Sequence, residues 1–316
     1  MQQANILTHN NRQRWLHSWK RSLIKYWDLY LLILPVLIWL FIFKYGPMYG
    51  TIIAFEDYSP SRGVFGSKWV WFKHFQRFFN AYNFTDILMN TVKLSLLQLV
   101  CAFPIPILLA LVLNEVNNRH YKKLVQTVTY APFFLSTVVM VGLIDAFLYP
   151  NTGLLNVLLV KLGGQSVNFM AKEEYFRPIF IISHIWKGTG WSSIIYMSAL
   201  TSIDPQLYEA ARIDGANRFQ SLLHVTLPAI IPTAIIMLIR DCGSIMDVGF
   251  EKAYLMQNDL NMGASEVIST YVYKVGLVNS QYSYSTAVNL FNSAINLVML
   301  LLVNKIARTV SETSLW

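Results

Sequence analysis

Long unbroken apolar runs recur along this 316-residue chain, and they constrain its fold more than any other feature. The hydrocarbon core of a membrane is about 30 Å thick and needs roughly 20 mostly apolar residues for one helical crossing. The runs lack the alternation of barrel strands, and a helix satisfies its own backbone groups in lipid. We predict an all-α polytopic membrane protein with about six crossings, near 28–45, 87–113, 127–148, 179–200, 228–246 and 287–303.

The composition agrees with a membrane domain, since 54% of the residues are hydrophobic and 13% are charged. The net charge of +8 is spread over short segments between the crossings, so a nucleic-acid partner is not expected. Lys and Arg are dense before the first crossing, between the second and third, and after the last, which predicts that both termini are cytoplasmic. We predict a basic amphipathic segment at 1–27, a transmembrane domain at 28–305 and a cytoplasmic tail at 306–316.

Two predicted crossings contain residues that disfavour a regular helix. Pro104 and Pro106 stand in the second crossing, and Gly188-Thr189-Gly190 stands in the fourth. Freed backbone groups in lipid need protein or a cavity around them, so these interruptions favour a pathway. Prolines are also common in membrane helices that line no pathway.

A polar interval at 204–228 separates the fourth and fifth crossings. Asp204-Pro205 is a typical helix start, and Gly215 permits a turn before a second short helix from Phe219 to Val225. We predict two short helices at an angle on the cytoplasmic side. A DNA-binding helix-turn-helix is disfavoured because membrane helices tether both ends of the interval.

The interval resembles the EAA loop of permease subunits in binding-protein-dependent ABC importers. Glu209-Ala210-Ala211 is followed by Asp214-Gly215 and by the ending Val225-Thr226-Leu227-Pro228. Stretches at 55–60, 247–251 and 281–287 are similar to the oligosaccharide and polysaccharide branch, which includes the maltose and alginate permeases. The resemblance covers nearly the whole chain and implies the type I importer permease fold in the bacterial cytoplasmic membrane.

The resemblance also implies several partners. They are a homologous second permease, an extracytoplasmic sugar-binding protein and a cytoplasmic ABC ATPase dimer. The chain has no G-x-x-x-x-G-K-[ST] motif, so we expect no cofactor in it and assign the use of ATP and Mg to the ATPase. The loop would dock on the ATPase as a coupling helix through Glu209, Ala210, Ala211, Arg212, Asp214 and Gly215.

Polar and aromatic residues inside the crossings indicate a path for sugar. Ionisable groups at membrane depth are costly and usually face a cavity or another helix. Sugars offer hydroxyls to polar side chains and ring faces to aromatic ones. Taken singly, asparagines also join helices, Arg240 can pair with an acidic neighbour and Lys93 can reach the membrane surface. The candidate pathway residues are Lys93, His184, Trp186, Lys187, Trp191, Tyr196, Arg240, Asp241, Asp247, Asn289 and Asn292.

The main hypothesis is a permease subunit that imports an oligosaccharide by alternating access, driven through the EAA loop. Lys187 and Arg240 would favour an anionic sugar. Neither metal-ligand spacing nor a G-x-S-x-G elbow occurs, so we expect no catalytic and no metal-binding residues. The alternatives are an ion-coupled secondary transporter, an ABC importer for another solute such as a peptide, and a receptor or scaffold without solute flux.

Overall fold

The structure is a computed structural model that describes residues 25–311, the last two by their backbone alone. Most of the predicted amphipathic segment, up to residue 24, and the end of the predicted tail, 312–316, lie outside this range. In chain order the helices are α1 (Trp27–Phe55), α2 (Gly63–Gly66), α3 (Lys73–Phe79), α4 (Phe84–Glu115), α5 (Arg119–Phe134), α6 (Thr137–Leu148), α7 (Leu154–Lys161), α8 (Glu173–Thr201), α9 (Pro205–Ile213), α10 (Arg218–Cys242), α11 (Phe250–Met256), α12 (Met262–Ser265), α13 (Ile268–Tyr273) and α14 (Tyr282–Ser311).

Four of the described helices, α1, α4, α10 and α14, are long and apolar enough to cross a membrane. The pair α5 and α6 makes a fifth crossing if it counts as one span. The remaining predicted crossing, 179–200, lies in α8, which is 29 residues long but is not among these strongly apolar helices. Nine residues of α8 are buried, whereas none is buried in the first 14 residues of α1. Helix α8 is therefore an interior helix, and α1 faces outward from this chain.

The predicted crossing at 127–148 is bent rather than one continuous helix. Helices α5 and α6 meet at an angle of 103°. Pro132 stands in the tight last turn of α5, and Leu135 is extended. Ser136 then starts α6 by accepting a hydrogen bond from the Val139 amide at 3.2 Å. A proline followed by an N-cap explains why apolar length alone missed the bend.

The residues predicted to interrupt the second and fourth crossings do not end either helix. Helix α8 runs unbroken through Gly188, Thr189 and Gly190. Helix α4 accommodates Pro104 by widening into a π-helical turn over Gln98–Ala102 and then continues. The fifth predicted crossing, 228–246, instead ends early, because α10 stops at Cys242.

Three buried apolar clusters hold the bundle together. One joins the N-terminal half of α8 to α4, α6, α11 and α12, and includes Phe176 and Phe180. A second joins α4, α8 and α10 around Tyr196 and Ile230. A third joins α3, α4, α13 and α14 around Phe78. Helices α4 and α8 contribute to the first two clusters and so form the centre of the fold.

The segment after α1 folds back onto that helix as a small polar and aromatic unit. Strands β1 (Glu56–Asp57) and β2 (Lys68–Trp69) pair antiparallel. Asp57 then contacts Lys73 at 2.7 Å and His74 at 3.1 Å, which attaches α3 to β1. The hydrogen bond from Lys73 holds the pKa of Asp57 below its usual value.

Helix α8 crosses α5 at a close contact beside Gly190. A Cβ atom at Gly190 would come within 2.1 Å of the Thr129 carbonyl oxygen, whereas one at Gly188 would meet nothing within 4 Å. We predict that Gly190→Ala lowers the free energy of unfolding by about 1–3 kcal/mol, because the helices must separate to admit a methyl group. Gly188→Ala, two residues away on the same helix, is the matched control and should not destabilise the protein.

Thermal unfolding of the two variants in the same detergent measures the difference. Equal unfolding temperatures would show that the α5–α8 crossing is looser than described.

Candidate functional site

The EAA loop begins with a well-formed short helix. The Asp204 carboxylate caps α9 by accepting a hydrogen bond from the Gln206 amide at 2.9 Å, and Pro205 occupies the first helical position. At the other end, the Ala216 amide bonds to the Ala211 carbonyl at 2.9 Å and the Gly215 amide to the Arg212 carbonyl at 3.1 Å. This pair is the Schellman arrangement, which needs a left-handed residue. Gly215 supplies it with φ +83°.

The second arm of the loop differs from the prediction of a short helix at Phe219–Val225. Asn217 and Gln220 cap each other reciprocally at 2.9 and 2.8 Å, and the helix starts at Arg218. It passes through a π-helical turn, Leu222–Thr226, and continues as α10 to Cys242. The second arm is therefore the first part of a 25-residue helix rather than a separate element.

A hollow of about 450 Å³ lies between the two arms. Tyr208 and Thr226 hold the arms together at its base through hydroxyls 3.1 Å apart. Of the predicted loop residues, Ala210, Ala211, Asp214 and Gly215 line the hollow, and the small side chains leave it open. Glu209 and Arg212 are exposed but do not line it.

Sequence reasoning missed two apolar side chains at the tip of the loop. Ile213 exposes 86% of its surface and Phe219 exposes 65%. They lie on either side of Gly215, and no neighbouring residue in the described part of this chain covers their side chains. Such exposure is typical of a surface that another protein covers. Their apolar character within a polar interval was the available signal.

A second cavity, of about 360 Å³, lies inside the bundle between α4, α8 and α10. It contains five of the predicted pathway residues. Helix α8 contributes residues spaced four apart, which occupy one face of a helix. The predicted residues in the lining are His184, Tyr196, Arg240, Asp241 and Asp247, and the other polar ones are Ser95, Gln98, Thr189, Ser192 and Ser244.

The α10 side of the cavity is charged but internally paired. Arg240 donates two hydrogen bonds to Oδ1 of Asp241, at 3.1 and 2.9 Å. Asp247 follows in the irregular segment after α10, and its two oxygens accept amide hydrogens from Asn292 at 3.1 Å and Asn296 at 3.2 Å. The interpretation of Asn292 as a joint between helices therefore agrees with the geometry, and it positions Asp247 at the cavity.

The other predicted pathway residues do not line this cavity. Trp191 stacks on Phe133 with ring centroids 4.5 Å apart, and Phe133 does reach the cavity. Lys187 donates to the Thr137 hydroxyl at 3.3 Å. Lys93, Trp186 and Asn289 are exposed on the outside of this chain.

Residues absent from the prediction complete the cavity. Ser192 follows His184 and Gly188 at the same spacing of four, so this periodicity was the signal that could have found it. Gln98 lies in the π-helical turn of α4 and donates to the Val248 carbonyl at 3.4 Å. Sequence periodicity could not have placed Gln98, because the π-helical turn changes the direction of its side chain.

The chain matches known proteins along most of its length. Residues 102–312 match the family model described as binding-protein-dependent transport system inner membrane component. The polygalacturonan/rhamnogalacturonan transport system permease protein YteP of Bacillus subtilis is 47% identical, with 94% of each chain covered. Protein LplB of the same organism is 42% identical over 99% of this chain and 97% of its own length.

A solved structure agrees with these relatives. One chain in the crystal structure of a bacterial alginate ABC transporter, in complex with an alginate pentasaccharide-bound periplasmic protein, superposes with a TM-score of 0.86. It is 41% identical, and the match covers 93% of this chain and 99% of that one. These matches confirm the predicted family and the type I permease fold. This chain belongs to the family of inner membrane components of binding-protein-dependent transport systems.

Proposed function

We propose that this chain is the membrane-spanning permease subunit of an ATP-driven importer for an oligosaccharide. An extracytoplasmic binding protein delivers the sugar, and a homologous second permease completes the passage. A cytoplasmic ATPase dimer docks on the EAA loop and uses ATP and Mg²⁺. Both termini, with the segment 1–27 and the tail 306–316, face the cytoplasm on the same side as that dimer.

One observation carries the proposal. A single helix, α10, starts in the EAA loop at Arg218 and ends beside the cavity, where it provides Arg240 and Asp241. A partner that moves the loop therefore moves one wall of the cavity with it. This connection is the mechanical requirement of alternating access, in which an external energy source opens the passage to one side at a time.

The cavity suits a sugar. Hydroxyl and amide groups from α4 and α8 share the lining with the carboxylates of Asp241 and Asp247, and Phe103 and Phe133 add aromatic surface to it. This mixture matches the alternating hydroxyl and ring surfaces of a pyranose. The names of YteP and of the superposed alginate transporter support a polymeric sugar as the cargo.

The alternatives make different demands. An ion-coupled transporter would move its solute without an ATPase, and a receptor or scaffold would show no flux. A peptide importer would share the EAA loop, since that surface contacts the ATPase rather than the solute.

The deciding experiment reconstitutes the permeases with their ATPase in liposomes and adds the binding protein loaded with oligogalacturonate, maltooligosaccharide or a short peptide. ATP hydrolysis that rises only with a loaded glycan supports the proposal, and uptake on an ion gradient alone contradicts it.

We predict that Glu209→Lys lowers glycan-stimulated ATP hydrolysis by about tenfold or more. The exposed carboxylate of Glu209 would pair with a basic group of the ATPase, and reversing its charge places like charges together at the docking surface. Glu174→Lys makes the same charge change at an exposed site on the outer end of α8 and should leave hydrolysis unchanged. Equal activity of both variants and the unchanged protein would remove Glu209 from the docking surface.

We also predict that Ile213→Ser weakens ATPase binding by about tenfold, which corresponds to 1.4 kcal/mol, because the side chain is an apolar anchor for the partner. Leu162 is a matched control, since it also exposes 86% of its surface but lies between α7 and α8, away from the loop. Leu162→Ser should bind the ATPase normally. Co-purification of each detergent-solubilised variant with increasing concentrations of the ATPase measures the binding of the two proteins. Equal retention of the ATPase by both variants would contradict the role of Ile213 as an anchor.

A further inference from the structure

Residues 55–79, which we call the aromatic unit, expose several large rings beside the end of α1. Trp71 exposes 66% of its surface, and Trp69 and Phe72 are exposed next to it. The rings contact one another, since Phe55 stacks on Trp69 with centroids 6.0 Å apart and Trp69 meets Trp71 edge-on at 5.6 Å. A contiguous exposed aromatic surface is typical of a site that something outside the chain covers.

The backbone at Trp71 has a costly conformation. Its φ of +54° lies in the left-handed region, which large side chains avoid. Hydrogen bonds fix the turn on both sides, because the Val70 amide donates to the Phe55 carbonyl at 2.8 Å and the Lys73 amide donates to the Val70 carbonyl at 3.3 Å. Strain that the surrounding structure maintains clusters at functional positions, so the exposure of Trp71 needs a functional reason.

The length of α1 gives the depth of the aromatic unit in a membrane. Helix α1 has 29 residues from Trp27 to Phe55. At 1.5 Å per residue it extends about 43 Å, which matches the 40–45 Å of a bilayer that includes both headgroup layers. With Trp27 in the headgroup layer of one leaflet, Phe55 lies in that of the other leaflet. The rings that contact Phe55 are therefore at headgroup level.

The aromatic unit lies on the perimeter of the bundle and away from the cavity. Its helix α3 packs on α14 through a buried face that includes His74 and Phe78. The residues that line the cavity within the described part of the chain include none from 55–79. Further along α14, Leu297 and Leu301 are exposed, as is most of α1. The unit thus continues the apolar outer surface of two membrane-crossing helices.

The aromatic unit is also basic, with Arg62, Lys68, Lys73 and Arg77. Lys73 is paired within the unit, and Arg77 lies 4.3 Å from the centroid of the Tyr284 ring. Arg62 and Lys68 are exposed and form no ion pair with another residue in the range 25–309. The phosphates of a headgroup layer supply anionic partners for such side chains.

We propose that the aromatic unit is a lipid-binding anchor that holds this end of α1 in the headgroup layer. Trp69, Trp71 and Phe72 lie at the boundary between headgroups and acyl chains, where aromatic rings are enriched because that boundary is apolar on one side and wet on the other. Arg62 and Lys68 bind lipid phosphates. The anchor depends only on the crossing of α1 and is independent of the solute that the importer carries.

Photo-crosslinking of the complete reconstituted complex tests the anchor. Trp71→benzoylphenylalanine is placed in the permease, and the complex is illuminated in liposomes of radiolabelled phosphatidylethanolamine and phosphatidylglycerol, with and without the binding protein. The main adduct should be phospholipid under both conditions. Phe72→benzoylphenylalanine should give the same result, and retention of the ATPase and of its activity shows that each variant is folded.

Leu260→benzoylphenylalanine is the matched control. Leu260 exposes 69% of its surface but lies between α11 and α12, and α12 packs on α8 rather than on α1 or α14. Position 71 should take up at least about fivefold more lipid label than position 260, since only position 71 lies in the aromatic layer of the membrane. Equal lipid labelling at the two positions would overturn the proposal. A main adduct with the second permease or with the binding protein would also overturn it, because the unit would then be a protein interface.

The phosphate contacts have a separate test. Arg62→Gln combined with Lys68→Gln should lower the lipid label at position 71 by about twofold or more, because two charge-assisted bonds to lipid are lost. Lys161→Gln, at an exposed site on α7, is the matched control and should leave the label unchanged. Unchanged labelling in the double variant would contradict phosphate binding by Arg62 and Lys68. None of these outcomes bears on glycan-stimulated ATP hydrolysis, which tests the proposed function separately.

Discussion

The structure depends on keeping the polar helix α8 away from lipid. A single helix that carries His184, Lys187 and a run of small polar residues is costly in hydrocarbon unless other helices or a cavity face those groups. Helices α4, α5, α10 and α12 all contact α8 and surround much of it. The close crossing at Gly190 and the cavity beside His184 both follow from this need. One face of α8 carries its buried residues, and the face with His184, Gly188 and Ser192 borders the cavity.

The fold could be predicted where the sequence acts locally. Apolar runs located α1, α4, α10 and α14, and Asp204-Pro205 with Gly215 located the turn of the EAA loop, because caps and left-handed turns need particular residues. The bend between α5 and α6 also has local signals, Pro132 and the N-cap Ser136, but apolar length alone does not use them. The unbroken course of α8 could not be predicted, because it depends on the neighbours that the helix meets.

The candidate site was predictable in part for the same reason. His184, Tyr196, Arg240, Asp241 and Asp247 converge on the cavity because polar groups in a crossing tend to face an interior space. Lys93 and Asn289 are also polar residues within predicted crossings, but they are exposed on the outside of this chain. The burial of Lys252 on α11 was missed because it arises from contact with Phe180, a residue 72 positions away, and the short segment around Lys252 gives no sign of it.

The continuity of α10 has a mechanical consequence. From Arg218 to Arg240 the helix extends about 33 Å at 1.5 Å per residue, so it can act as a lever arm. A tilt of about 10° at the loop would displace the far end by about 6 Å, which is comparable with the length of one helical turn. Linkage between two ends of a lever is reciprocal, so a solute that fixes one end also restricts the other. A solute in the cavity would thus be sensed at the EAA loop without any rearrangement of the helix itself.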